Sequence, residues 1–390
     1  MAIIVKKFGG TSVGSIELIQ NIAHNIARQK RAGDSLVLVV SAMAKTTDDL
    51  MELAHQICEH PSRRELDMLL TAGERISMAL LSLSLQKEGL SSISFTGSQS
   101  GIITDNRHGN ARILEVNAFR INQELEQGKI VIVAGFQGVS QAKEITTLGR
   151  GGSDTSAVAL ACYLEAGKCE IYSDVDGVFS ADPRIVPQAR LLKEIDHSQM
   201  LALANGGSRV LHPRAVEFAQ RFNIPVELKS SFSFAQGTLI HQIKRNSTHM
   251  ENRKITAITH KEGLLRLVLP AEKAVELFNI GSHIEIFRYE IRQDSLEIFI
   301  ENKYKSDTEL LLQQNGIEVQ AREEGLGWVT LVGLGIEADP QILNRVIQAC
   351  GDFQILRVAP GNLNIGLLLP SVQTQDCLCA LHNTFFGDEQ

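Results

Sequence analysis

The chain has 390 residues, a formal net charge of -7, and 44% hydrophobic against 21% charged residues, ordinary globular proportions with material for two or three domains. The acidic balance argues against a nucleic-acid partner, whose phosphates call for clustered Lys and Arg, and no run reaches the ~20 apolar residues of a membrane span. Met1 to Val5 meets Lys6 too soon for a secretory signal, and six scattered cysteines suit reduced thiols, so a cytoplasmic enzyme is expected.

Short apolar runs alternate with longer helical stretches through the first two-thirds of the chain, the pattern of parallel strands joined by helical crossovers. Strands are expected at Ile3 to Lys6, Leu36 to Val40, Ser92 to Phe95, Ile130 to Ala134, Cys169 to Ser173 and Val226 to Lys229. Their unalternating apolar character predicts burial on both faces. Helices are expected at Ser15 to Arg31 and from Glu65 to Gln86, the second broken near Gly73.

Ligands of open α/β sheets bind outside the carboxyl ends of the strands, and the loops there are rich in Gly, Ser, Thr and Asp. The first, Lys6 to Ser12, joins a strand to a helix through Gly9 and Gly10. Backbone N–H groups at a helix start, with Lys7 beside them, make polyphosphate its natural guest. The lysine precedes the glycines, so this is not a P-loop, and the plain alternative is a strand-to-helix turn.

The run Thr147 to Thr155 repeats the logic with Gly149, Gly151 and Gly152. Arg150 can grip a carboxylate in bidentate fashion, and Asp154 can pair with Lys7 or with a metal-bound phosphate. A third loop offers Ser173, Asp174, Asp176 and Phe179, with Asp182 and Arg184 after it. Thr47 and Glu74 say less alone: Thr47 reads as a helix cap and Glu74 as part of a solvated helix face.

A polar stretch from Gln242 to Arg253 reads as a linker. Beyond it the order strand, helix, hairpin, helix, strand occurs twice, at Ile255 to Val319 and Trp328 to Phe386. Cys377 and Cys379 form the one close cysteine pair and read as packing residues of a C-terminal helix rather than as a zinc site.

Taken together, VKKFGGTSV, SAMAKTTDDL, TAGERIS, FTGSQSGI, VAGFQGVS, TTLGRGGSDTSA, SDVDGVFSADPRIV and VLHPRAVEFA resemble the aspartokinases of the amino acid kinase family, in order, from Ile3 to about Ile240. The resemblance implies an α/β kinase domain, an open and mostly parallel sheet between helical layers, at 1–245. A linker at 246–254 and two small α+β ACT-like (βαββαβ) domains at 255–325 and 326–390 follow. The implied reaction is phosphorylation of the β-carboxylate of L-aspartate by ATP and Mg²⁺.

By the same resemblance Lys7 stabilises the transferring phosphoryl group and Asp154 organises Lys7. Arg150 holds the α-carboxylate of aspartate, Glu74 its ammonium, and Thr47 with Ser153 the remaining polar atoms. ATP lies over Gly9, Gly10, Ser173, Asp174 and Phe179, with Arg184 near the phosphates and Arg209 near the adenine. The family commonly has tyrosine at Phe179 and lysine at Arg209. A lysine or threonine effector and a homo-oligomer, a dimer or dimer of dimers through the ACT-like domains, are also implied. The effector loops depart from the usual proline-glycine, reading Pro270-Ala271 and Pro340-Gln341, and the first ACT-like helix is short, Ala271 to Phe278. A glutamate or acetylglutamate kinase, a nucleotide monophosphate kinase and a non-catalytic amino-acid sensor are the alternatives.

Overall fold

The computed structural model describes residues 3–30, 33–243, 255–280 and 284–387; the expected linker at 246–254 lies outside them. Two units are distinguished. The first comprises Met1–Val178, Leu191–His197 and Val210–Lys244; the second comprises Phe179–Arg190, Ser198–Arg209 and Arg245–Gln390. The expected kinase domain at 1–245 is thus interrupted twice by segments that belong with the C-terminal part.

The first unit is built on an eight-stranded sheet. From edge to edge its strands are Glu194–Asp196, Thr238–His241, Val226–Ser230, Lys168–Ser173, Ile3–Phe8, Ser35–Val40, Ile130–Ala134 and Ser92–Phe95. Neighbours run parallel except at the pairing of Val226–Ser230 with Thr238–His241. Ser35–Val40 and Ile130–Ala134 are buried at every position, as their unbroken apolar runs predict.

One face is covered by helices Ile16–Gln29 and Arg63–Lys87, which bring Ile19, Ile22, Ile26, Met78, Leu81 and Leu85 against Leu36, Leu38, Ile130 and Ile132. Helix Gly152–Tyr163 packs on the sheet strands Ile3–Phe8, Ser35–Val40 and Lys168–Ser173, with Pro213–Phe222 against it. A smaller four-stranded sheet, in the order Ile113–Val116, Ile102–Thr104, Gln137–Ser140, Ile145–Thr147, leads into the second glycine loop.

Helix Arg63–Lys87 is continuous through Gly73, against the expected break. A Cβ at Gly73 would stand 2.7 Å from the Cβ of Ala42, so the glycine serves close approach to the loop after Ser35–Val40 rather than a kink. The same helix corrects the expectation of no membrane-length stretch: by length and mean hydropathy alone it could cross a membrane. In the structure it lies against the sheet, and its buried residues include Asp67 and Glu74.

The second unit holds a six-stranded antiparallel sheet in the order Ile286–Ile291, Ser295–Glu301, Ile255–Pro270, Ala321–Gly333, Asn364–Pro370, Arg357–Gly361. Its two central strands are long, and Ile255–Pro270 serves two cores. Leu265, Leu267 and Leu269 pack with Leu277, Leu296 and Leu312, whereas Ile255 and Ile258, earlier on the same strand, pack with Leu331, Val346, Leu367 and Leu378. The register slips between Lys261 and Leu264, where Gly263 has φ +66, a bulge that lets the strand pass from one core to the other.

Each half is a βαββαβ fold, but the fourth strand of the C-terminal half comes from the start of Ile255–Pro270, not from its own end. The linear boundary at 325 and 326 therefore crosses a strand, Ala321–Gly333, that both halves use. Cys377 is fully buried in the C-terminal core beside Cys350, in accord with a packing role.

Candidate active site

The site grows from the carboxyl ends of the parallel strands. Lys6 and Lys7 are adjacent in Ile3–Phe8, so they point to opposite faces of the sheet. Lys6 Nζ lies 3.1 Å from Glu170, beside Lys168 and Lys229. Burial would raise the Glu170 carboxyl, but Lys6 and the other two lysines hold it down to about 2. Tyr172 donates to the same carboxylate at 2.9 Å and stacks on Phe8. This ion cluster under the glycine turn was missed by the sequence reading. Its signal is the alternation of Lys168, Glu170 and Tyr172 on one strand with Glu227 and Lys229 on its neighbour.

Lys7 points to the other face and lies 2.6 Å from Asp154 Oδ1, with both side chains largely buried. After Phe8 the chain turns at once: the N–H groups of Ser12 and Val13 donate to the carbonyl of Gly9. Helix Ile16–Gln29 begins only after this turn, capped by Ser15. The polar N–H groups around Gly9 and Gly10 thus belong to a tight turn, a correction to the expected helix start. A Cβ at Gly9 would sit 3.5 Å from Lys7 Nζ and 3.8 Å from Ser12 Oγ, so the turn's open side faces the ammonium. Ser12 Oγ is buried without a hydrogen-bond partner among the described residues.

The second glycine loop does end in a helix start. Gly151 caps Gly152–Tyr163 at φ +62, and a Cβ there would stand 2.2 Å from His212, so only glycine fits. Ser153 and Asp154 fall in the helix's first turn, where their acceptors meet the positive end of the dipole. Ser153 is buried against Gly135, at the end of Ile130–Ala134, while Arg150 is exposed.

Glu74 overturns the solvated-face expectation. It is 3% exposed, its Oε1 accepts from the Ala42 N–H at 3.1 Å, and its Oε2 is buried without a partner among the described residues. Burial pushes its carboxyl up to about 7. The loop that Glu74 holds also packs on the first glycine turn, because Ala44 N–H donates to the Gly10 carbonyl and a Cβ on Gly10 would meet Ala42 O at 2.9 Å. Thr47 lies inside the first turn of helix Thr46–Ile57, half-buried, and is not its cap, which is Lys45. Ser173 ends its strand with its carbonyl bound by Ser231, and Asp174 follows it, exposed.

Phe179, Arg184 and Arg209 belong to the second unit. Phe179 is half-buried and Arg209 exposed; Arg184 pairs with its neighbour Asp182 at 2.6 Å.

Comparison with known proteins decides the family. The amino acid kinase family model matches residues 2–230, the span that carries both glycine loops. An aspartokinase of Geobacillus stearothermophilus is 43% identical over 400 residues, covering 99% of this chain and 97% of its own. The chain belongs to the aspartokinases. It is therefore an ATP-dependent kinase. Among solved aspartokinases, E. coli aspartokinase III in complex with aspartate and ADP, in the R-state, superposes with a TM-score of 0.82 at 25% identity, covering 98% of this chain and all of that one. The same enzyme in complex with lysine and aspartate, in the T-state, gives 0.74. The aspartokinase match thus spans the kinase unit and the ACT-like sheet alike.

Proposed function

We propose that this chain transfers the γ-phosphate of ATP to the β-carboxylate of L-aspartate, the entry step to lysine, threonine, methionine and diaminopimelate, with Lys7 and Asp154 as its catalytic pair. The Lys7–Asp154 contact at 2.6 Å between two glycine loops carries this reading. A carboxylate is already an anion and needs no general base, so the protein's work is to align two negative groups and offset their repulsion. A carboxylate oxygen attacks the γ-phosphorus as the bond to the β,γ-bridging oxygen breaks and ADP leaves. Lys7, fixed by Asp154, supplies positive charge where the transferring group gathers negative charge.

In this reading Arg150 holds the α-carboxylate, Thr47 and Ser153 hold the remaining polar atoms, and Glu74 meets the ammonium. The unpartnered oxygen of Glu74 supports the last role, since a buried acid accepts a cation far better than an acylated amine. Gly9, Gly10, Ser173 and Asp174 form the nucleotide side in the first unit; Phe179, Arg184 and Arg209 of the second unit are kept as nucleotide-binding candidates on the family resemblance alone. Among the described residues no three His, Cys, Asp or Glu side chains cluster. That donor set suits Mg²⁺ carried in on the nucleotide, which keeps phosphate and water ligands and takes one or two carboxylates, Asp154 and Asp174 being the candidates. Mg²⁺ supplies charge neutralisation on the phosphates when bound. Free ATP as donor sets the reaction in the cytoplasm.

The substrate test is ADP release across L-aspartate, L-glutamate and N-acetylglutamate, with hydroxylamine trapping the acyl phosphate. Aspartate should give the hydroxamate; a glutamate preference would sink the assignment. Lysine is bound in the solved E. coli relative, and we extend lysine or threonine control to the ACT-like sheet of this chain, whose outer strands also offer a homodimer contact. Titrating both amino acids, singly and together, should lower the rate, and an unchanged rate would remove this control.

A further inference from the structure

The second glycine loop hangs on a buried carboxylate that the reaction itself does not use. Asp67 sits on helix Arg63–Lys87 two turns before Glu74, hence on the same face, and is 1% exposed. Its Oδ1 accepts from Thr147 Oγ1 at 2.5 Å and from the Gly109 N–H at 3.1 Å; its Oδ2 accepts from His108 Nδ1 at 2.6 Å.

The residues Asp67 holds are the two supports of the loop. Thr147 is the last residue of Ile145–Thr147, directly before Leu148 to Asp154, and its carbonyl accepts from the Ala111 N–H at 2.9 Å. His108 and Gly109 lead into Asn110 and Ala111, on which Gly149 rests: a Cβ there would meet Asn110 Oδ1 and the Gly109 carbonyl at 3.1 Å. Arg214 closes the frame from helix Pro213–Phe222, donating to the carbonyls of Leu148 at 2.6 Å and Ala111 at 2.8 Å and to Asn110 Oδ1 at 3.3 Å. An apolar residue at position 67 would pack without the desolvation that a buried carboxylate suffers, so packing alone gives no reason for an acid there.

We propose that Asp67 is a positioning residue for the phosphotransfer site, setting the Arg150-to-Asp154 loop at a fixed distance from Glu74 through Thr147, His108 and Arg214. The proposal rests on the assignment of Arg150 and Glu74 to the two ends of aspartate. One rigid helix face then holds both: Glu74 directly, and Arg150 through the loop that Asp67 anchors. Loss of the anchor separates the two grips on aspartate and leaves the nucleotide side, built on the first glycine turn and Ser173, in place.

Steady-state kinetics on the full chain tests this with Thr147→Val, Thr147→Ser and Asp67→Asn. Thr147→Val keeps shape and removes the donor, and Thr147→Ser restores it. Thr147→Val and Asp67→Asn should raise the aspartate KM about tenfold, the effect of one lost charged hydrogen bond, with the ATP KM within about twofold. Thr147→Ser should stay within about twofold of wild type for both. Variants that melt earlier but keep the wild-type aspartate KM, or that raise both KM values together, overturn the proposal. A wild-type chain that does not turn over aspartate would instead overturn the assigned function, so the two failures are told apart.

Discussion

At the scale of the residue, Glu74 holds the most informative conflict. Its carboxyl is raised to about 7 by burial, so it is partly protonated near neutral pH until a cation arrives. Aspartate binding then requires the ionised form, and the aspartate KM should rise as pH falls through 7 while the ATP KM stays flat; a flat aspartate profile from pH 6 to 8 would exclude the ammonium role. The sign for stability is the reverse. A carboxyl whose folded pKa lies above its unfolded value loses stability as pH climbs from about 4.5 to 7. Glu74→Gln should therefore raise the melting temperature at pH 8, by about 1–3 kcal/mol in stability, while weakening aspartate binding at least tenfold. Lys7→Ala should lower kcat by ~100-fold or more, as loss of a charge-stabilising donor does, and should also lower the melting temperature, because it leaves the Asp154 carboxylate largely buried without its partner. Lys7 is singled out by its place beside the glycine pair and by the family resemblance, and its contact with Asp154 pairs two residues that the sequence marks in separate loops. Asp67 and the Glu170 cluster are not singled out, since their partners lie forty or more positions away or on neighbouring strands.

At the scale of the element, helix Arg63–Lys87 shows why periodicity misleads. Its inner face carries Asp67, Thr71, Glu74 and Ser77, all buried, while Met68, Ile76 and Leu83 are exposed at 40%, 51% and 61%. Polar residues mark the buried face because that face holds loops rather than only a core. Hydrophobic pattern therefore placed the helix but not its orientation. Gly73 is part of the same face. Exchange of a mid-helix glycine for alanine ordinarily gains ~1 kcal/mol. Here the new Cβ would press on Ala42, whose N–H binds Glu74, so Gly73→Ala should destabilise by about 1–3 kcal/mol and raise the aspartate KM. Chemical denaturation checks the first effect; a stabilised variant would mean that the Ala42 loop yields freely. Of the eight strands of the first sheet, Ser35–Val40 and Ile130–Ala134 were the most legible, because burial on both faces leaves an unbroken apolar run, whereas the short strands Glu194–Asp196 and Thr238–His241 were not expected.

At the scale of the whole molecule, two βαββαβ halves were visible as a repeated order of elements, but their sharing of strands was not. Pairing of Ile255–Pro270 with Ala321–Gly333 joins residues more than fifty positions apart, and nothing local in either strand declares its partner. The consequence is physical: the peptide 326–390 lacks Ile255 and Ile258 from its core and should be unfolded by circular dichroism, whereas 255–390 regains them, though not Ala181 and Val186 of the same core, and should be the more ordered of the two. A folded 326–390 would contradict the shared-strand account. The central claim, a carboxylate kinase for aspartate built on Lys7 and Asp154, is tested most directly by ATP-dependent formation of aspartyl hydroxamate by the purified wild-type chain and by Lys7→Ala. Robust hydroxamate from wild type and at least a hundredfold less from Lys7→Ala is the expected result; equal rates, or none from wild type with L-aspartate, would contradict it.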